Sequence, residues 1–134
     1  RLGKLRGLLP FPCRLLGTRR LCDELPPFWR AHPPASFYFL PEAVDFCDYL
    51  RSRKPRLRYL ADVVAYERAT LELERACIGT PPPQRVHFHH DPTALLAALA
   101  QGRHPRAIRA RPCIATGTRD AKGQTAWTLE DSAA

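Results

Sequence analysis

The chain has 134 residues, long enough for one small domain and too short for a large multidomain enzyme. Twenty-one Lys and Arg against thirteen Asp and Glu leave a formal charge of +8, which draws the chain to anions: nucleic acid, an acidic membrane surface, or an acidic protein or peptide. There is no apolar run long enough to cross a membrane as a helix, and 14 prolines cut the chain into short elements.

Residues 1–29 are basic and leucine-rich. Leu2, Leu5, Leu8 and Leu9 have helical spacing, interrupted at Pro10 and Pro12. Leu15, Leu16 and Leu21 suggest a second short helix, and Pro26-Pro27 a break before Phe28 and Trp29. The segments "PFPC" and "TPPPQ" read as extended connectors. In "HPPASFYFL", Phe37, Tyr38 and Phe39 stand together as a core plug or an interface patch.

"PEAVDFCDYLRSR" predicts a helix that starts at Pro41, with Glu42 in its first turn and arginines at its end. Val44, Cys47 and Leu50 form its apolar stripe. A second helix is expected over residues 56–78. Leu57, Leu60, Val64, Leu71 and Ile78 lie on one stripe, with Tyr59, Val63, Tyr66, Leu73 and Cys77 beside it. Glu67 interrupts the stripe. A carboxylate there needs a partner, either an arginine of the basic N-terminal part or a group on another protein.

"RVHFHHDPTALLAALAQG" places three histidines in four positions. Val86 and Phe88 would share one strand face, with His87 and His89 on the wetter one. Asp91 then caps a helix that opens on Pro92 and stops at Gly102. Two histidines on a strand are too few for a zinc site, which needs three or four ligands. A free-standing metalloprotein would have to recruit His104 as well.

"AIRARPCIATGT" alternates Ile108 and Ala110 against Arg109 and Arg111, and Pro112 marks an edge strand or a bulge. Asp120 and Gly123 make a hairpin connection. "TAWTLED" returns with Ala126 and Trp127 on opposite faces. The expected fold is α+β: a helical region over 1–79 and a small antiparallel sheet with one helix over 84–134, in one compact domain.

No nucleophile elbow, phosphate loop, His-Glu-x-x-His or catalytic carboxylate pair is present in the sequence. The chain reads as a binding subunit rather than an enzyme. Arg109 and Arg111, with Ile108 and Ile114, are candidates for holding an extended peptide along a sheet edge. Phe37, Tyr38, Phe39 and Glu67 are candidates for a partner interface. The five cysteines are scattered and form no Cys-x-x-Cys pair, which fits a reduced, cytoplasmic setting. Cys47 and Cys77 fall in helical patterns as small apolar residues.

The stretches "FWRAHPPASFYFLPEAVDFCDYL", "YLADVVAYERATLELERA" and "VHFHHDPTALLAALAQG" together resemble the family of the methanobactin biosynthesis protein MbnC. Its members are partner subunits of TIM-barrel, multinuclear-iron oxygenases that modify cysteines in ribosomally made peptides. The resemblance runs from about Phe28 to the end. It implies that iron sits in the partner enzyme and that this chain carries no cofactor. It also implies a heterodimer that recognises the leader of a cysteine-containing precursor, chiefly through the C-terminal sheet. The product would be an oxazolone with an adjacent thioamide, a copper-chelating pair, or, in a sister branch, a cysteine stripped of its β-carbon. The rival expectation is a basic nucleic-acid-binding module. Against it, the helix over Pro92 to Gln101 is almost pure Ala and Leu and lacks side chains that read base edges.

Overall fold

The computed structural model describes residues 2–32, 39–53, 58–75 and 80–131. The architecture is α+β. Helices α1 (Leu2–Leu8), α2 (Pro10–Ala31), α3 (Phe39–Arg53) and α4 (Leu60–Arg75) precede strand β1 (Gln84–His90), helix α5 (Pro92–Ala100) and strands β2 (Ala110–Arg119) and β3 (Thr125–Asp131).

The N-terminal part is more helical than its prolines suggest. Pro10 does separate α1 from α2, but Pro12 and the whole of "PFPC" lie inside α2. A proline in the first turn lacks only an N–H that would have no helical partner anyway. The expected break at Pro26-Pro27 is also absent: α2 runs through both residues to Ala31. Its kink sits instead at Gly17, where φ is +77°, a backbone state that costs glycine little. Burial explains the continuity. Leu25 and Phe28 flank the proline pair and are buried. Fully burying two such side chains contributes about 3–6 kcal/mol, which offsets much of the roughly 3 kcal/mol or more that each of the two interior prolines costs.

Phe28 packs at a tilt against Phe46 and Tyr49 of α3, with ring centroids 5.0 and 5.4 Å away. Val44, Cys47 and Leu50 join them in the main core, together with Leu60, Val63, Val64 and Leu71 of α4. Two helix boundaries differ from expectation. Helix α3 starts at Phe39, two residues before Pro41. Helix α4 starts at Leu60 because Tyr59 takes a left-handed backbone, φ +73°, that no helix accommodates. Leu57, Cys77 and Ile78 of the predicted stripes lie outside the described residues.

The expected capping of α5 is present. Asp91 accepts the Thr93 N–H, Pro92 is the first helical residue, and Gly102 has φ +74° just past the end. Leu95 and Leu99 bury into the main core beside α2. This helix therefore belongs to the helical body as much as to the sheet.

The sheet is antiparallel, in the order β1-β2-β3. Val86 and Phe88 point inward with Cys113 and Ala115, against Ala69 and Tyr66 of α4. The turn between β2 and β3 is built as expected. The Asp120 carboxylate accepts the N–H groups of Lys122 and Gln124, and Gly123 has φ +83°. Of the two readings of Pro112, the bulge is right and the edge strand is wrong: β2 is the central strand. Phe88 faces Cys113 while His90 faces Ala110, so β2 carries one extra residue at Arg111-Pro112. The described pairing with β3 starts only at Cys113, so no ladder bond falls on the missing N–H.

Gly117 pairs with Trp127, whose indole lies over the glycine and against Tyr66 at 5.2 Å. A Cβ at Gly117 would sit 2.7 Å from the indole. Gly117→Ala should therefore lift Trp127 off Tyr66 and cost about 2 kcal/mol, as overpacking does. Urea unfolding followed by tryptophan fluorescence checks this; an unchanged midpoint and emission maximum would contradict it.

Candidate functional site

The centre of the molecule is a carboxylate that carries no periodic signal in the sequence. Asp62, near the start of α4, is 2% exposed. Its oxygens accept the main-chain N–H groups of His89 and His90 at 2.9 and 3.0 Å. They also meet Nδ1 of His89 at 2.8 Å and Nδ1 of His90 at 3.2 Å. Nδ1 of each ring is thus the nitrogen suited to carry a proton toward the carboxylate, and Nε2 is left to face outward. Tyr59 completes the cluster. Its ring stands edge-on to His90 at 4.7 Å, and its hydroxyl oxygen accepts the Ile108 N–H at 3.1 Å. The histidine cluster therefore pins the end of β1 to α4. Among the described residues no group of three or more His, Cys, Asp or Glu is arranged to hold a metal ion.

Two edges flank the sheet. Over the inner face of the sheet, between the strands and helices α4 and α5, lies an apolar groove of about 210 Å³, lined by Tyr66, Phe88, Leu96, Ala115, Trp127 and Leu129 among others. Leu129 is 40% exposed. Beside β1 lies a basic cleft of about 280 Å³. One wall is Gln84, Arg85, Val86, His87 and His89; the other is Ala61, Ala65, Arg68 and Ala69 of α4, with Arg51 at the end of α3. Residues from both faces of β1 line this cleft, so it runs along the strand's edge.

The sequence-predicted peptide residues do not form one surface. Arg109 and Ile108 precede β2; Ile108 packs on the main core and Arg109 is exposed. Arg111 is occupied within the chain, 3.0 Å from Asp131 and 3.5 Å from Asp91. The bond to Asp131 holds its guanidinium above the usual pKa. Ile114 lies in the middle strand, between His87 and Glu130, and not at an edge. Phe37 and Tyr38, and the side chain of Phe39, lie outside the described residues.

Glu67 is a buried group rather than one offered to a partner: it is 6% exposed. Neither does it pair with an arginine among the described residues. Its Oε1 accepts the Phe11 N–H of α2 at 3.3 Å. Burial pushes its pKa up to about 7; the Phe11 bond opposes this and Glu74 adds to it. Nearby Cys47 is pushed up to about 12, first by burial and then by Glu67, so its thiol is inert at neutral pH. Cys22 is the exposed cysteine among the described residues, while Cys13, Cys47 and Cys113 are buried.

The chain matches no protein-family model, no curated protein and no solved structure. The site's chemistry consequently rests on its own geometry.

Two outcomes follow from these carboxylates. Asp62→Ala leaves two main-chain donors and two rings without their acceptor, and should cost roughly 3 kcal/mol in urea unfolding. A loss no larger than that of a typical exposed substitution would contradict the pinning role. For Glu67, the folded pKa of about 7 exceeds the ordinary 4.5, so folding binds its proton more tightly. Its contribution is fully present below pH 4.5 and is lost as pH rises to 7. Glu67→Gln keeps the acceptor for Phe11 and removes the ionisation. The variant should gain on the parent across that window, by on the order of 3 kcal/mol above it. Parallel stability–pH curves for the two proteins would refute this.

Proposed function

We propose that this chain is a non-catalytic partner subunit of an iron-dependent oxygenase that modifies a cysteine in a ribosomally made peptide. It forms a heterodimer with a TIM-barrel enzyme that holds the irons, and it grips the leader of the precursor. The observation that carries the reading is the C-terminal sheet. Among the described residues both outer strands, β1 and β3, have one side without a neighbouring strand, and β1 is bordered by an open cleft. An extended peptide can add to such an edge by main-chain hydrogen bonds, with side-chain pockets beside the strand giving selectivity. The helical body holds the sheet through Asp62 and through the Tyr66–Trp127 contact, so the edge is presented on a rigid support. The resemblance of residues 28–134 to MbnC-type proteins supplies the class of partner and substrate. Within that class we assign conversion of a cysteine to an oxazolone with a thioamide, the methanobactin type, ahead of removal of the cysteine β-carbon.

Co-expression tests the reading. The chain should co-purify with an iron-dependent barrel enzyme at equal stoichiometry, and the precursor should be modified only when all three components are present. Iron should stay with the partner when this chain is removed. A chain that purifies as a stable monomer without affinity for such an enzyme, or that modifies the peptide unaided, would overturn the proposal.

A further inference from the structure

The cleft between α4 and β1 differs in charge from the apolar groove over the sheet's inner face. Arg51, Arg68 and Arg85 line it with His87 and His89, and no carboxylate is among its lining residues. Neighbouring acids neutralise only part of this charge. Arg68 is engaged by Asp48 at 2.6 Å and approaches Glu72 at 3.9 Å. Arg51 and Arg85 are exposed and form no ion pair among the described residues. Two unneutralised guanidinium groups, one from the last turn of α3 and one from β1, therefore border one space of about 280 Å³.

A third group is held in place beside them. The His89 side chain is 73% exposed, yet its Nδ1 lies 2.8 Å from Asp62, which is 2% exposed. A buried carboxylate thus fixes an exposed imidazole that lines the cleft, and leaves Nε2 as the ring's outward nitrogen. That carboxylate is itself held by the main-chain N–H groups of His89 and His90. The opposite wall is Ala61, Ala65 and Ala69, whose methyl groups leave the space between helix and strand unfilled.

We propose that this cleft binds a small phosphate-bearing ligand, a phosphomonoester or inorganic phosphate, its oxygens shared among Arg51, Arg85 and Nε2 of His89. This goes beyond the peptide-binding reading and does not rest on it: the ligand is a compact anion held by side chains. Charge selects its class. A phosphate group carries about −1.5 to −2 charges at neutral pH and presents three strong acceptor oxygens. Two guanidinium forks and one imidazole nitrogen match both the charge and the oxygens. A single carboxylate would leave one guanidinium unneutralised. Nε2 donates to a phosphate oxygen when the ring carries both protons, and accepts from a phosphate hydroxyl when only Nδ1 is protonated. The volume is at the small end of ligand pockets, which suits a phosphate with a short substituent. Bound there, the phosphate joins α3 to β1 and so stabilises the folded chain.

The test is isothermal titration calorimetry on the full chain, with inorganic phosphate, adenosine monophosphate and acetate as probes. Both phosphates should bind and raise the thermal midpoint, and acetate should do neither. Tighter binding of adenosine monophosphate would assign a phosphomonoester as the ligand; binding no tighter than that of phosphate would assign the free ion. Arg51→Gln and Arg85→Gln should each weaken phosphate binding about tenfold, the loss of a charge-assisted pair, with circular dichroism unchanged. Arg106→Gln, the same change at an exposed site outside the cleft, should weaken it by less than about twofold. In NMR spectra of the histidine ring nitrogens, Nε2 of His89 should move as phosphate is added. Phosphates that do not bind, acetate that binds equally well, three arginine variants that behave alike, or an unmoved Nε2 overturns the assignment. So does a short duplex DNA that binds more tightly than adenosine monophosphate through the same two arginines, since the ligand would then be a nucleic-acid backbone. Co-purification with the barrel enzyme is unaffected by any of these results, so the failure of the cleft and the failure of the partner-subunit reading are separate observations.

Discussion

One buried carboxylate sets where the two halves of this protein meet. Placing an ion at 2% exposure is costly unless donors surround it. Asp62 is surrounded: two main-chain N–H groups and two imidazoles converge on its two oxygens. The donors all come from the last two residues of β1, and the acceptor comes from the first turn of α4. That single junction fixes the strand's exit. From there Asp91 caps α5, and α5 returns Leu95 and Leu99 to the helical core. The same junction limits the site. It takes both main-chain donors at that end of β1, those of His89 and His90.

What the sequence revealed was mostly local. The Asp91-Pro92 start and the Gly102 stop of α5 need only neighbouring residues, as does the Asp120–Gly123 turn. The alternation of Val86 and Phe88 against His87 and His89 appears as the burial pattern of β1. Order within the sheet is different in kind. The β2–β3 hairpin is implied by its turn, but the β1–β2 pairing spans a helix and an irregular segment. Pro112 suggested an edge because prolines disrupt ladders; its actual place, in a bulge of the middle strand, depends on where the third strand stops.

The proline pair in α2 shows the same limit. Local rules end a helix there, whereas the burial of Leu25 and Phe28 continues it. Asp62 was invisible for a related reason. A lone Asp near a helix start reads as an ordinary charge favoured by the helix dipole. Nothing in its spacing says that a strand from beyond the end of that helix will bring four donors to it. The candidate site was therefore legible as a sheet edge with nearby arginines, but not as this edge or these arginines. Arg111 looked available and is held by Asp131 and Asp91, while Arg51 read only as a charge suited to a helix end and Arg85 as part of a strand, and both line the cleft.

Helix α4 carries three tasks on three of its faces, and they constrain one another. Leu60, Val63, Val64 and Leu71 enter the main core. Asp62 holds β1. Ala61, Ala65 and Ala69 wall the cleft and, at Ala69, touch the sheet's inner cluster. Larger residues at these alanines would bury more apolar area against the strand and would also fill the space beside its edge. A sequence shaped for stability alone would gain from that filling. Small side chains there keep the cleft beside β1 open, with Arg51 and Arg85 exposed along it. The two buried carboxylates of α4 differ in their surroundings. Glu67, buried beside Cys47, has one main-chain donor and keeps its proton up to near neutral pH, while the Asp62 oxygens meet four donors. The helix thus spends its well-satisfied carboxylate on fixing the strand.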